Sequence, residues 1–396
     1  MDRTDRAFWG ATALSLAAFA LLGPLERRIE LLGEDDLSRL WAAPRAFLNG
    51  SDPYDPVTWY DTAVALGTQA PDTAVFTHPP WVVVALLPLG LIPLTLVSAL
   101  WLVASLGLSI AALRSALRAL LPDRPLEHAV AAFALLVSWA GMLNVILGQW
   151  GGILVAVLFA IVLALRRGRA ATAGLLAISF LFKPQLFLLA APALALHAAW
   201  PETGRRPTRF GARFIAAALI PAATLIAISW AAIPWWLEPW SRHIGSPFTR
   251  PEYDTIPALL GTVLGPAGSV LAPLGILALV GLGLSFHPRS PGWLPMWIAL
   301  SIACAPYTNS YDKILLVVPL VLAAGALHPR YAVRGRSVLL AGAAVLIFLT
   351  PVMYGIAVAR HSETLSPVVP LLVVAVIATG LWPLRRERSP VAPAAA

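Results

Sequence analysis

Twelve apolar runs, separated by prolines, glycines and arginine clusters, leave this chain little choice but a bundle of helices in a bilayer. They lie at 8–22, 94–113, 129–147, 151–165, 170–182, 186–199, 214–233, 270–284, 293–305, 314–327, 338–354 and 368–384. Crossing a hydrocarbon core takes about 20 apolar residues as a helix, and a bilayer leaves backbone groups no water to bond. The sequence therefore predicts an all-α, polytopic integral membrane protein of about twelve spans, a single membrane domain over 1–388. Several runs are shorter than 20 residues, so some spans tilt or stop halfway.

Composition agrees: 59% of residues are hydrophobic, 12% are charged and mean hydropathy is +0.77, against about 25% charged residues in an average soluble domain. The first run has a short basic flank, read as a signal-anchor because so many spans follow. Most of the 28 Lys and Arg residues fall in alternate loops. These hold Arg3 and Arg6; Arg114, Arg118 and Arg124; Arg166, Arg167 and Arg169; Arg205, Arg206, Arg209 and Arg213; Arg289; Arg330, Arg334 and Arg336; and Arg385, Arg386 and Arg388. Cytoplasmic loops are enriched in such residues, so both termini are expected inside the plasma membrane. The net charge of +8 then belongs to loops facing anionic lipid, and no compact basic domain points to nucleic acid. One cysteine, Cys304, excludes an intramolecular disulfide or a multi-cysteine metal site. The Pro- and Ala-rich tail at 389–396 reads as disordered.

On this topology a long polar segment, 24–80, faces outward, opening with Glu34, Asp35 and Asp36. Leu37, Leu40, Trp41, Phe47 and Leu48 recur at helical spacing, so 36–48 is expected as an amphipathic interfacial helix ended by Asn49-Gly50. A carboxylate at its start reads either as an N-cap or as a catalytic group. Tyr54 lies in the proline-punctuated turn at 51–56 that follows. After His78-Pro79-Pro80-Trp81, the stretch 82–91 is apolar but too short to cross. It reads either as a half-helix lining a cavity or as a kinked interfacial anchor.

Three more polar clusters fall on the same face: Asn144 with Gly148-Gln149, Lys183-Pro184-Gln185, and 307–313. Lys183 is the sharpest, since a cation in so short a hairpin either snorkels to headgroups or holds an anion such as phosphate. A second external loop, 234–256, carries Trp235, Trp236, Trp240, His243, Glu238, Arg242, Arg250 and Glu252. Its aromatics suit either an interfacial belt or acceptor binding.

These residues resemble a known family. Asp36-Leu37, Gly50, Pro53-Tyr54, His78-Pro79-Pro80, Asn144 with Gly148-Gln149, Lys183-Pro184, and Ala305-Pro306 with Tyr311-Asp312 follow the order and spacing of the family 87 glycosyltransferases, polyprenyl-phosphate-mannose-dependent enzymes of the GT-C superfamily. The resemblance covers most of the chain. It implies a GT-C fold with a long first external loop, a polyprenyl-phosphate sugar as donor, a lipid or glycan as acceptor, and an acidic residue of the loop as catalytic base. Asp36 matches that position by its distance to Gly50, with Asp35 the neighbouring alternative. Lys183 falls where related enzymes place a cation against the donor phosphate. The chain departs from the family after Ala305-Pro306, where it reads Tyr307-Thr308-Asn309-Ser310-Tyr311-Asp312.

The chemistry needs a base for the acceptor hydroxyl and a cationic or hydrogen-bonding site for the departing phosphate. Asp36 is expected in the first role and Lys183, with His78 or Gln149, in the second. Tyr54, Asn144, Tyr307, Asn309, Tyr311, Asp312 and Trp236 are the expected substrate contacts. One carboxylate suffices for inversion. No Asp-x-Asp pair appears, so no metal or cofactor is expected. The rival reading is a polytopic transporter or lipid-linked-sugar flippase, with its site nearer the midplane.

Overall fold

A computed structural model describes residues 1–22, 27, 29–30, 32, 35–68, 75–199, 209–245 and 254–387. Glu34, Arg205, Arg206, Arg250, Glu252, Arg388 and the tail at 389–396, all named above, lie outside them, as does the side chain of His243. Among the described residues every regular element is a helix, with no strand. Each of the twelve apolar runs contains a helix. Four stretches are long and apolar enough to cross a membrane: Leu94–Leu120, Arg209–Ala232, Pro266–Leu284 and Ser310–Arg360. A fifth arises if Pro125–Leu136 and Trp139–Ile146, bent by 47° at Ser138, form one span. Others are short, Gly151–Arg166 at 16 residues and Trp293–Ala303 at 11.

The stretch Ser310–Arg360 is not one span. Tyr331 leaves helical geometry at φ −133°, ψ 51°, two residues after Pro329, whose ring removes a helical hydrogen bond. Beyond that point the chain folds back. An added Cβ on Gly335 would lie 2.9 Å from the Ala324 carbonyl oxygen, and one on Gly342 would strike the Leu320 side chain. In a straight helix positions 320 and 342 would be about 33 Å apart. The segment is a hairpin, as the separate runs 314–327 and 338–354 predict.

Two polar ends result. At one, Asp5 pairs with Arg114 at 3.1 Å and with Arg118, Glu127 with Arg336 at 2.9 Å, and Arg330 with Glu387. These arginines belong to the clusters expected inside. At the other end the polar loops meet: Leu37 N–H donates to the Leu147 carbonyl at 3.3 Å, Trp81 Nε1 to Leu181 at 2.8 Å, and Trp240 Nε1 to Thr77 at 2.9 Å. Helix Gly151–Arg166 connects the two ends, and at 1.5 Å per residue its 16 residues separate them by about 24 Å.

Two loop expectations change in detail. The helix Asp36–Leu48 has the predicted bounds, ended by Asn49 and by Gly50 at φ +82°. Of its apolar residues Leu37, Leu40 and Trp41 are buried against protein while Leu48 is exposed, so most of the apolar side packs onto the bundle. The stretch 82–91 forms two short helices, Pro80–Ala85 and Leu87–Gly90. Pro88 lacks the N–H that would join them.

Close helix contact at small residues should be the weak point of such a bundle. A Cβ on Gly174 would strike the Phe214 backbone carbonyl, whereas one on Gly10 meets nothing within 4 Å. Gly174→Ala is expected to destabilise the protein by roughly 1–3 kcal/mol, and Gly10→Ala to be neutral or stabilising by up to about 1 kcal/mol. Thermal unfolding of both variants in detergent checks this.

Candidate active site

The helix Asp36–Leu48 separates its two carboxylates by role. Asp35 is extended, at φ −81° and ψ 166°, and its Oδ1 accepts the Ser38 N–H at 2.8 Å, which makes it the N-cap. Its side chain is buried. Asp36, the first helical residue, keeps 35% of its side chain exposed and lies 4.0 Å from Arg39 Nη1. It accepts a hydrogen bond from Gln149 Nε2.

Gln149 is aimed by the turn before it. Helix Trp139–Ile146 ends at Leu147, and Gly148 takes φ +62°, a left-handed geometry that glycine adopts without steric cost. The Gln149 N–H then returns to the Asn144 carbonyl at 3.0 Å, and Trp101 Nε1 donates to the Gln149 carbonyl at 3.3 Å. The side-chain amide thus spans two partners. While its Nε2 faces Asp36, its Oε1 accepts from Lys183 Nζ at 3.1 Å.

Lys183 does not snorkel. It sits between the 3-10 helices Ile178–Phe182 and Pro184–Phe187, only 5% exposed. Its Nζ donates to Asp312 Oδ1 at 2.7 Å and lies 4.5 Å from the Tyr311 ring centre. Lysine has three N–H donors, and two hydrogen bonds and a ring face occupy its surroundings. A phosphate approaching it would meet a cation already shared with a carboxylate.

The late motif supplies the opposite wall. Asp312 Oδ2 accepts the Asn309 N–H at 3.1 Å in a capping box. Asn309 Nδ2 donates to the hydroxyls of Tyr307 at 3.1 Å and Tyr311 at 2.6 Å. Asn144 Nδ2 donates to the Tyr311 carbonyl at 2.7 Å. Asp36, Gln149, Lys183, Asp312, Asn309, Tyr307, Tyr311 and Asn144 therefore form one connected polar network.

His78 stands at its edge. Its ring stacks on Phe76, with centres 5.3 Å apart. Its surface is half-buried, yet protein surrounds it closely, and that burial, with the Lys183 charge second, pushes its pKa down to about 3. It is a neutral imidazole near neutral pH.

Tyr54 and Trp236, expected as substrate contacts, are placed otherwise. Tyr54 is 1% exposed and its hydroxyl donates to the His78 carbonyl at 2.5 Å. Burial, with nearby Asp52 second, holds that hydroxyl's pKa well above the usual value. Trp236 is 3% exposed, its ring packed against Tyr54, Trp81, Trp230 and Trp240 at 5.0 to 6.4 Å. Neither has an open face for a sugar; both brace the loop that carries His78. Trp235 does the same from outside, donating to Asp52.

Asp254, Glu363 and Arg39 escape a reading of the sequence. Lys313 forms a buried ion pair with Asp254, whose carbonyl accepts from Thr308 Oγ1 at 2.7 Å. Glu363 accepts the Ser310 N–H at 2.9 Å. Burial raises the pKa of both carboxyls, and Lys313 opposes it. Lys313 and Asp254 are 59 residues apart, and no local pattern links them. Among the described residues no three His, Cys, Asp or Glu side chains converge as metal ligands. Comparison with known protein families, curated proteins and solved structures yields no match.

The neutral His78 gives a pH test. The unfolded imidazole binds its proton near pH 6.5 and the folded one near 3, so its contribution to stability is complete above 6.5 and shrinks as pH falls toward 3. Discounted for partial solvent screening, the loss between pH 6.5 and 4.5 is about 1–2 kcal/mol. His78→Asn should flatten the fall in melting temperature across that window; a slope equal to wild type would exclude His78 as its source.

Proposed function

We propose that this chain is a membrane glycosyltransferase that moves a sugar, mannose on the family resemblance, from a polyprenyl-phosphate donor to a lipid or glycan acceptor. The observation that carries this reading is the link from the half-exposed Asp36 through Gln149 to the buried Lys183. It unites a candidate base and a candidate phosphate partner from segments far apart in sequence. The network lies about 24 Å from the arginine-rich end along helix Gly151–Arg166. By the positive-inside rule its face is extracytoplasmic, with the termini in the cytoplasm. The GT-C fold with about twelve spans belongs to this same proposal.

In the proposed reaction the acceptor oxygen attacks the anomeric carbon as the bond from that carbon to the phosphate oxygen breaks. Asp36 takes the hydroxyl proton, and the electron pair of the broken bond leaves with the polyprenyl phosphate. Attack opposite the leaving group inverts the anomeric centre and needs no second carboxylate. Lys183 faces the charge that develops on the phosphate. Gln149 fixes the separation of base and cation, and Arg39 lies 4.0 Å from the Asp36 carboxylate. Neutral His78 is suited to donate a hydrogen bond to a phosphate oxygen.

One observation favours the rival class. Two lysines, Lys183 and Lys313, are buried with carboxylate partners, and ionisable groups inside a membrane protein mark transport pathways in many cases. A substrate carried without being cleaved would use the same groups.

Purified protein given polyprenyl-phosphate-mannose and a membrane lipid extract separates the two. Asp36→Asn is expected to lose roughly 10²–10⁴ in kcat with its melting temperature kept. Asp35→Ala should show the reverse, losing about 1 kcal/mol of stability through the cap and keeping kcat in the folded fraction. Lys183→Met leaves Asp312 buried without its cation, at a cost of about 3–5 kcal/mol, so it is paired with Lys183→Met/Asp312→Asn, which should regain stability but not activity. Full activity in Asp36→Asn would sink the base assignment. Movement of intact lipid-linked sugar across liposomes, with no transfer, would establish the transporter instead.

A further inference from the structure

The arginine-rich end holds a cavity of about 300 Å³ that the network above does not use. Arg166, Arg330 and Glu387 line it, and Glu387 pairs with Arg330. Leu294 and Leu322 form apolar wall, and His197 and Ser290 add polar groups. Ser290 is 2% exposed, and its hydroxyl has no hydrogen-bond partner among the described residues. A buried hydroxyl in that condition has lost its water partners without replacement, and a ligand in the cavity would restore one. The chain has built a concave site with two cations, one anion and an unused donor.

Its size limits the occupant. Pockets for small ligands run from roughly 300 to 1,000 Å³, so this one takes a headgroup and not a whole phospholipid. Leu196, Val333 and Trp382, close in sequence to the lining residues, are exposed and offer apolar surface for acyl chains outside it. Arginine suits a phosphate by its planar, forked donors, and basic pockets between helices on the inner face of a membrane recognise lipid phosphates.

We propose that this cavity binds the phosphate headgroup of an anionic membrane lipid, held between Arg166 and Arg330 with the Ser290 hydroxyl donating to it. The site is independent of the glycosyltransferase reading, and its test is binding. Glu387 competes with the headgroup for Arg330, so removing its charge should strengthen binding.

The experiment follows the melting temperature of delipidated full-length protein in detergent against phosphatidylglycerol, phosphatidylcholine with the same acyl chains, and inorganic phosphate. Phosphatidylglycerol should raise the melting temperature at mole fractions where phosphatidylcholine does nothing. Arg166→Gln/Arg330→Gln should raise its half-saturating mole fraction at least tenfold and Ser290→Ala a few-fold, while Glu387→Gln lowers it. Arg167→Gln/Arg169→Gln, with the same change in charge outside the cavity, should leave it unchanged. An equal response to phosphatidylcholine, an equal loss in the control pair, or millimolar phosphate alone saturating the response would overturn the proposal. If the double arginine variant fails to fold, Glu387→Gln decides, and an unchanged midpoint there counts against the site.

Discussion

The pairing of Lys183 with Asp312 at 2.7 Å is the interaction on which the polar end depends. Removing two charges from water costs several kcal/mol for each, and attraction repays that only when the remaining hydrogen-bonding capacity is also met. Here it is met from several segments. Asp312 receives the Asn309 N–H as well as the lysine, and Lys183 reaches Gln149 and the Tyr311 ring. The pair joins residues 129 apart in sequence. Through Gln149 it extends to Asp36, so the first polar loop, the turn after helix Trp139–Ile146, the break at Lys183 and the late motif hold one another in place.

That arrangement changes what the cation can do. A free lysine would attract phosphate by its charge alone, but beside Asp312 and near Asp36 it stands among as many carboxylates as cations once Arg39 is counted. Under the proposed chemistry the balance shifts during the reaction. The proton that leaves the acceptor neutralises Asp36 as negative charge appears on the departing phosphate, and Gln149 lies between the two events. Stabilisation of that kind grows toward the transition state and is small in the ground state, which is the condition for speeding a reaction rather than merely binding its substrate.

Helix 36–48 was legible because apolar spacing, an acidic start and Asn49-Gly50 all agree. The choice between Asp35 and Asp36 was not, since either can cap a helix and only backbone geometry assigns the cap to Asp35. Gln149, Lys183 and Asp312 were legible as polar residues at the ends of apolar runs, though their mutual contacts were not. Tyr54 and Trp236 misled because an aromatic side chain in a loop has the same local signature whether it meets a ligand or fills a core. The runs 314–327 and 338–354 betrayed their hairpin by the arginines between them. Asp254 and Glu363 gave no signal, since their partners, Lys313 and the Ser310 backbone, come from distant parts of the chain.

The break that holds Lys183 is itself a solved problem in backbone chemistry. Where Ile178–Phe182 and Pro184–Phe187 replace α-helix with 3-10 turns, backbone groups lose their usual partners, and an apolar environment cannot supply new ones. Ser301, in the last turn of helix Trp293–Ala303, supplies three contacts: its hydroxyl donates to the Leu186 carbonyl at 2.8 Å and accepts the Leu189 and Ala190 N–H groups at 3.1 Å. Trp81 covers the Leu181 carbonyl from the first loop. A helix broken with its backbone so provided for is a built feature, since an uninterrupted helix would have needed neither Ser301 nor Trp81. The interruption turns Lys183 inward to Asp312 and Gln149, which a regular helix at that position would not require.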